Sequence, residues 1–385
     1  MNKGTTILNQ MLRQISRFEF QKAMGTYNVE KHAKGLSSWN QFVAMAFGQI
    51  TNQRSLKNIE SGLRSNASKL YHHGISKTSK STLAYANENR DWRAFAELFS
   101  IVLNKVQKIA PRHTFSIEKK VKSIDATIID LCKTQFPWAE FRKTKAGVKL
   151  IIKLDHDGYL PEHVQATNAI EHETQYTEKI PFTDEELVVF DRGFSDYSFY
   201  ANLYSTGTSF VTRLKKNAKF IVVECYEVTD ENIISDEKIQ YTGFYSQKNH
   251  PMALRKITSM DPETGETIDL LTNDFSLPAG TVASLYRERW QIEIFFKMLK
   301  QFLKIKKYYG NSKNAVLTQI FIALILYLLI QMQRFISTVQ VPFSTFLSII
   351  SNNAFQKYDL LDLFSQIQKP PNLRQSENSM QGVLF

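Results

Sequence analysis

Cysteine is nearly absent: Cys132 and Cys225 are the only two in a chain of 385 residues. They share no paired spacing, which excludes a disulfide framework and a cysteine-ligated zinc site. Long hydrophobic runs are missing too, with one exception: Ile320 to Ile330 is eleven apolar residues between Gln319 and Gln331. That falls short of the ~20 residues that cross a bilayer, so a buried core helix is expected there and no membrane partner. The opening residues, MNKGTTILNQ, lack an apolar signal core, and a cytoplasmic, nucleoid-associated chain is the expectation. Acidic residues are scarce in one region only. Residues 1–116 hold 17 Lys and Arg against 6 Asp and Glu, and the remainder holds 31 of each sign, so all of the net +11 lies in the first third. A basic module joined to a neutral one points to a polyanion partner, most simply double-stranded DNA. A merely soluble basic domain is the plainer alternative.

The basic third reads as helical, with apolar spacing in Trp39 to Ile50 and Phe95 to Val106. Between these lie a polar helix, a turn at Gly74, and a second polar helix capped by Ser79 or Ser81 and running towards Arg90. This order suits a helix-turn-helix, in which Lys80 and Arg90 would contact DNA along with Thr82, Tyr85, Asn87 and Asn89. Many small helical domains share the pattern. The adjacent His72 and His73 have no Cys or Asp partners nearby and read as surface residues rather than metal ligands.

From Lys122 the pattern changes to strands. KSIDATIIDL, GVKLIIKLDH and YLPEHVQAT predict three strands, the last two joined by a hairpin turn at Asp157-Gly158. A helical connection over 171–178, a fourth strand ELVVFD, a helix over Ser195 to Leu203 and a fifth strand SFVTRLK follow. Asp125 lies inside the first strand and Asp191 ends the fourth. Residues 217–275 contain four further strand-like runs separated by charged turns.

Tyr286 to Lys300, YRERWQIEIFFKMLK, has no proline or glycine and reads as the interior of one helix. At ~100° per residue, Tyr286, Arg289, Glu293 and Lys300 fall on one narrow stripe, with Ile292, Phe295, Phe296 and Leu299 mostly on the other side. Taken alone, this could be a surface helix with an i,i+4 Arg–Glu pair. The spacing Tyr-x2-Arg-x3-Glu-x6-Lys, however, resembles the signature of the DDE transposases of bacterial insertion sequences, specifically the insertion-sequence-4 family.

The resemblance covers about residues 117–335 and implies an α/β fold. This is a ribonuclease-H-like catalytic domain with a β-rich insertion at about 216–278, preceded over 1–116 by an all-helical DNA-binding domain. A helical segment over 336–368 and a disordered tail over 369–385 complete the expected layout. It also implies that Asp125, Asp191 and Glu293 are the three catalytic carboxylates, ligands of Mg²⁺ with Mn²⁺ as substitute, with Asp125 bridging two ions. No nucleotide cofactor is needed, because a freed 3′-hydroxyl attacks target DNA directly. Arg289 and Lys300 would hold phosphates of the element's end and Tyr286 would position one. Pairing of two ends implies a homodimer on DNA. Hairpin-forming members carry a tryptophan in the insertion that stacks on a flipped base, but none lies between Trp138 and Trp290 here, and Phe244 or Tyr245 is a weak substitute. Lys304, Lys306 and Lys307 precede a turn that family members share. The end of the tail, Gln381-Gly382-Val383-Leu384-Phe385, resembles peptides that dock on the replication sliding clamp, with Gln381, Leu384 and Phe385 as anchors. Two alternatives stay open: a nuclease without strand transfer, and a domesticated DNA-binding protein that keeps the catalytic domain as scaffold.

Overall fold

Serine hydroxyls start four of the helices in the first third. In this computed structural model, which describes residues 4–31, 33, 35–142, 145–170, 173–243, 252–261, 264–303, 308–337 and 341–368, that third is built on α1 (Ile7–Leu12), α2 (Arg17–Thr26), α3 (Ser38–Ile50), α4 (Leu56–Ser65), α5 (Lys80–Asn89) and α6 (Arg93–Gln107). Ser16, Ser37, Ser55 and Ser79 each accept the backbone N–H three residues on, satisfying a donor that the helix leaves orphaned. Gly74, between α4 and α5, has φ +62° and closes a 3₁₀ turn over Ala67–His73.

Strand β1 (Lys120–Leu131) sends alternate side chains to opposite sides of a sheet, and both sides are covered. Ile124 joins Val188, Phe190 and Phe210 on one side, whereas Val121 joins Leu187, Val189 and Leu285 on the other. A short β2 (Glu140–Arg142), not foreseen from the sequence, and then β3 (Lys145–Asp155) and β4 (Leu160–Asn168) follow; β3 is antiparallel to both β1 and β4. The β3–β4 turn uses Gly158 at φ +71°, where a Cβ would also lie 2.6 Å from the Phe335 ring. Strand β5 (Glu186–Phe190) is parallel to β1, and β6 (Ser209–Arg213) is parallel to β5, joined to it through helix α7 (Tyr197–Ser205).

The four later strands, β7 (Phe220–Cys225), β8 (Ile233–Tyr241), β9 (Leu254–Met260) and β10 (Thr267–Thr272), do not form a separate sheet. β10 pairs antiparallel with β6, so the order runs β2-β3-β1-β5-β6-β10-β9-β8-β7, with β4 also on β3.

Helices α8 (Ala279–Glu288), α9 (Trp290–Leu303), α10 (Lys313–Ser337), α11 (Phe343–Asn353) and α12 (Leu360–Gln368) complete the described chain. α10 is long and apolar enough to cross a membrane by length and composition, but here its apolar run is wholly buried inside the protein. Its cover comes largely from the first third. Trp92 stacks on Phe321, Gln49 donates to the Gln319 carbonyl at 2.7 Å, and the Asn314 amide donates to the Asn87 carbonyl at 2.9 Å. Residues of α1 to α6 and of α9 to α12 therefore belong to one continuous core, which also receives Ile129 and Leu150 from the sheet.

Candidate active site

Two of the three expected carboxylates stand on neighbouring strands. Ile124 and Phe190 are the last registered pair of the parallel β1–β5 ladder, and Asp125 and Asp191 each follow by one residue. Adjacent strands are about 4.8 Å apart. Asp125 shares a side of the sheet with Val121, and Asp191 with Leu187 and Val189, so both carboxylates face the layer that holds α8. Asp125 Oδ1 accepts the Ala126 N–H at 2.7 Å, and Asp191 Oδ1 accepts the Gly193 N–H at 2.8 Å, capping a 3₁₀ turn over Arg192–Phe194.

The third carboxylate arrives on a helix that the sequence reading treated as unbroken. It is broken: α8 ends at Glu288 and α9 starts at Trp290, with Arg289 between them. The Arg289 N–H bonds to the Tyr286 carbonyl at 3.1 Å and the Ile292 N–H to the Arg289 carbonyl at 3.2 Å, the tighter i→i+3 pattern. Each half serves a different core. Val282 and Leu285 pack against β5 and β6 residues, while Ile292, Phe295 and Leu299 enter the core shared with α10.

Arg289 gathers the site. Its Nη2 lies 2.6 Å from Glu293 Oε1 and its Nη1 lies 3.7 Å from Asp125 Oδ2, so one guanidinium spans the first and third carboxylates. Burial works against the Arg289 charge, but the bond to Glu293 and the nearby Asp125 outweigh it and hold the group protonated more firmly than usual. Its Nε is buried without a hydrogen-bond partner. Arg289 and Arg213 each stand 5.9 Å from the centre of the Tyr286 ring. Burial pushes the Tyr286 phenol up, so it remains a hydrogen-bond donor at neutral pH. Lys300 is exposed two turns beyond Glu293.

Arg213 was not singled out from the sequence, since a lone arginine at a strand end carries no signal until Tyr286 is placed beside it. Trp290 carries no signal in the sequence either. Its side chain is 59% exposed, next in sequence to Arg289 and three residues from Glu293.

The donor set suits a hard divalent ion, since Asp125, Asp191 and Glu293 offer only carboxylate oxygens. Among the described residues no three Asp, Glu, His or Cys side chains are grouped closely enough to enclose an ion as they stand. The Arg289 guanidinium lies between two of the three and balances their charge.

The expected DNA contacts of the first third fare differently from one another. Lys80 is exposed at the start of α5. Arg90 is half-buried; it donates to Gln41 Oε1 at 3.0 Å and to the Leu36 carbonyl, tying the end of α5 to α3. Asn87 is buried, its side-chain oxygen bonded to Gln41. His73 is buried as well, Nε2 3.0 Å from the Thr6 hydroxyl, rather than at the surface as expected. Lys304, Lys306, Lys307, Phe244, Tyr245 and the tail residues Gln381, Leu384 and Phe385 lie outside the described residues.

Residues 117–329 match the model of the Transposase DDE domain. The chain belongs to that family. It is therefore a DNA transposase, and its family uses divalent metal ions to cleave DNA and transfer strands. Residues 3–76 match a second model, a domain of unknown function, DUF4372. Among similar proteins, one named as transposase y4zB of Sinorhizobium fredii is 29% identical over 76% of this chain and 81% of its own length. Another, named as the transposase for insertion sequence element IS5377 of Geobacillus stearothermophilus, is 25% identical over 86% of this chain and 85% of its own. A third, named for element IS4SA of Synechocystis, is 24% identical over 66% and 71%. The piggyBac transposase in its synaptic complex with hairpin DNA has a TM-score of 0.41 and 11% identity over 93% of this chain and 80% of that one.

Proposed function

We propose that this transposase is of the insertion-sequence-4 type and mobilises its element through Asp125, Asp191 and Glu293. The observation that carries the proposal is the placing of Asp125 and Asp191 side by side on β1 and β5, under the helix that presents Glu293. The strand pattern β4-β3-β1-β5-β6, antiparallel on one side of β1 and parallel on the other, supports a ribonuclease-H-like reading of the catalytic part. Asp125, Asp191 and Glu293 would hold Mg²⁺, or Mn²⁺ in its place. When bound, such ions activate an attacking water or 3′-hydroxyl and stabilise the leaving oxygen.

The chain's own residues do the rest. Arg289 and the exposed Lys300 supply positive charge for the phosphates flanking the scissile bond, and the Tyr286 phenol donates to one of them. Trp290 offers an exposed indole beside the catalytic stripe, where a base at the element's end can stack. The basic first third, with Lys80 at its surface, adds sequence-independent attraction to double-stranded DNA, which predicts an affinity that falls steeply with salt. Arg90, tied to Gln41 and Leu36, serves the protein's packing in this reading. Two copies would pair two ends as a homodimer. The tail Gln381, Leu384 and Phe385 would dock on the sliding clamp, and truncating 381–385 should then abolish affinity for purified clamp.

The test is cleavage of a labelled duplex bearing the element's own ends, with Mg²⁺ or Mn²⁺, by wild type and Glu293→Ala. Nicking at the end by wild type only, with equal DNA binding by both, is the expected result. Binding by both and cleavage by neither favours the DNA-binding scaffold. End cleavage without joined products on a supercoiled plasmid favours a nuclease.

A further inference from the structure

The position of Arg289 has a consequence for how the site is loaded. Its guanidinium lies between Asp125 and Glu293, at 3.7 Å and 2.6 Å, where the first and third carboxylates would otherwise converge on an ion. No cluster of three ligands stands ready among the described residues. Arg289 also sits in the break between α8 and α9, outside the regular i→i+4 hydrogen-bond ladder, and its Nε is buried without a hydrogen-bond partner. A cation so placed neutralises two carboxylates that would repel each other, and it also excludes a second cation from them.

We infer that Arg289 is a latch: in the DNA-free protein it takes the place of the divalent ion between Asp125 and Glu293. DNA releases it, because a backbone phosphate offers Arg289 a bidentate acceptor outside the carboxylate pair. Phosphate and metal then bind with positive coupling: each relieves what opposes the other. The site stays unloaded until a phosphodiester is in reach, so the metal-dependent chemistry is armed by its own substrate. This rests on the assignment of Asp125, Asp191 and Glu293 as metal ligands.

The experiment is titration of the full chain with Mn²⁺ in the absence of DNA, free Mn²⁺ being read by electron paramagnetic resonance. Wild type, Arg289→Ala, Arg289→Met and the double variant Arg289→Ala/Glu293→Ala are compared, each checked for fold by circular dichroism. The latch predicts that Arg289→Ala and Arg289→Met bind Mn²⁺ at least about ten-fold more tightly than wild type, and that the double variant loses the gain. An Arg289 needed only to position Glu293 would instead weaken binding when removed. Equal or weaker binding by both folded single variants overturns the latch, yet leaves the transposase reading intact if wild type cleaves the element's ends. A gain that survives in the double variant also overturns it, since the ion would then sit elsewhere. If no variant binds Mn²⁺ at all, the metal assignment and the latch fall together.

Discussion

Two residues gain a meaning only once they are placed. Trp290 was legible only as a helix residue, since nothing in periodicity separates a packed indole from an exposed one. At 59% exposure beside Glu293 it is available to stack on DNA. Its fluorescence should be quenched on binding a duplex that carries the element's ends. Trp290→Phe should lose most of that quenching, and a variant that kept it would move the stacking role elsewhere. His156 is the second. Its Nε2 lies 2.7 Å from the Ser123 hydroxyl in a buried position, and burial pushes the imidazole down to about 4. In the unfolded chain it returns to about 6.5. Because the folded value is the lower one, the unfolded state takes up the extra proton as pH falls. Stability from this group is thus complete above pH ~6.5 and lost progressively towards pH ~4. Melting temperature should drop between pH 7 and pH 5, and His156→Gln should flatten that slope.

Elements were legible where one periodicity ruled and illegible where two cores competed. The alternation of β1 located Asp125 within a strand, but its place beside β5, and so beside Asp191, was implied only by the resemblance and is seen in the parallel β1–β5 register. The break at Arg289 was invisible, because no proline or glycine marks it. It coincides with a change of packing: Leu285, before it, lies in the cluster over β5 and β6, and Ile292, after it, in the core shared with α10. The strands of the expected insertion were read correctly as strands, yet their continuation of the main sheet depends on the β10–β6 pairing, a contact remote in sequence. On β1, β3 and β5 the same alternation hides charges. Lys122 lies 2.7 Å from Asp155 and 3.0 Å from Glu162, and Lys153 lies 2.7 Å from Glu186, with both lysines 2% exposed. Removing Lys153 strands the Glu186 carboxylate in the interior. Lys153→Met should therefore destabilise by roughly 3–5 kcal/mol in chemical denaturation, and Lys153→Met/Glu186→Leu should recover most of it. Equal stability of Lys153→Met and wild type would mean that water reaches Glu186.

At the scale of the molecule, charge suggested a boundary that packing does not observe. All of the net +11 falls before residue 117, and that asymmetry reads naturally as a separate basic domain. Net charge, however, is a property of surfaces, and it says nothing about where a core ends. The core that holds Phe42, Phe95 and Leu98 of the first third is the one that holds Ile320 to Ile330 of α10. The two parts are also sewn together by backbone bonds, Ile7 to the Gln356 carbonyl at 3.0 Å and Leu8 to the Ala354 carbonyl at 2.9 Å. A fragment 117–385 would uncover one flank of α10, a helix apolar enough to pass for a membrane span, and with it a contiguous hydrophobic surface. Expressed alone, that fragment should aggregate. Co-expressed with residues 1–116, it should be recovered soluble and bound to them. A monomeric 117–385 with the melting temperature of the full chain would show instead that the basic third is an independent body. In the shared-core arrangement, the basic first third and the helix that carries Glu293 are braced against the same α10, so the two keep a fixed relation to each other.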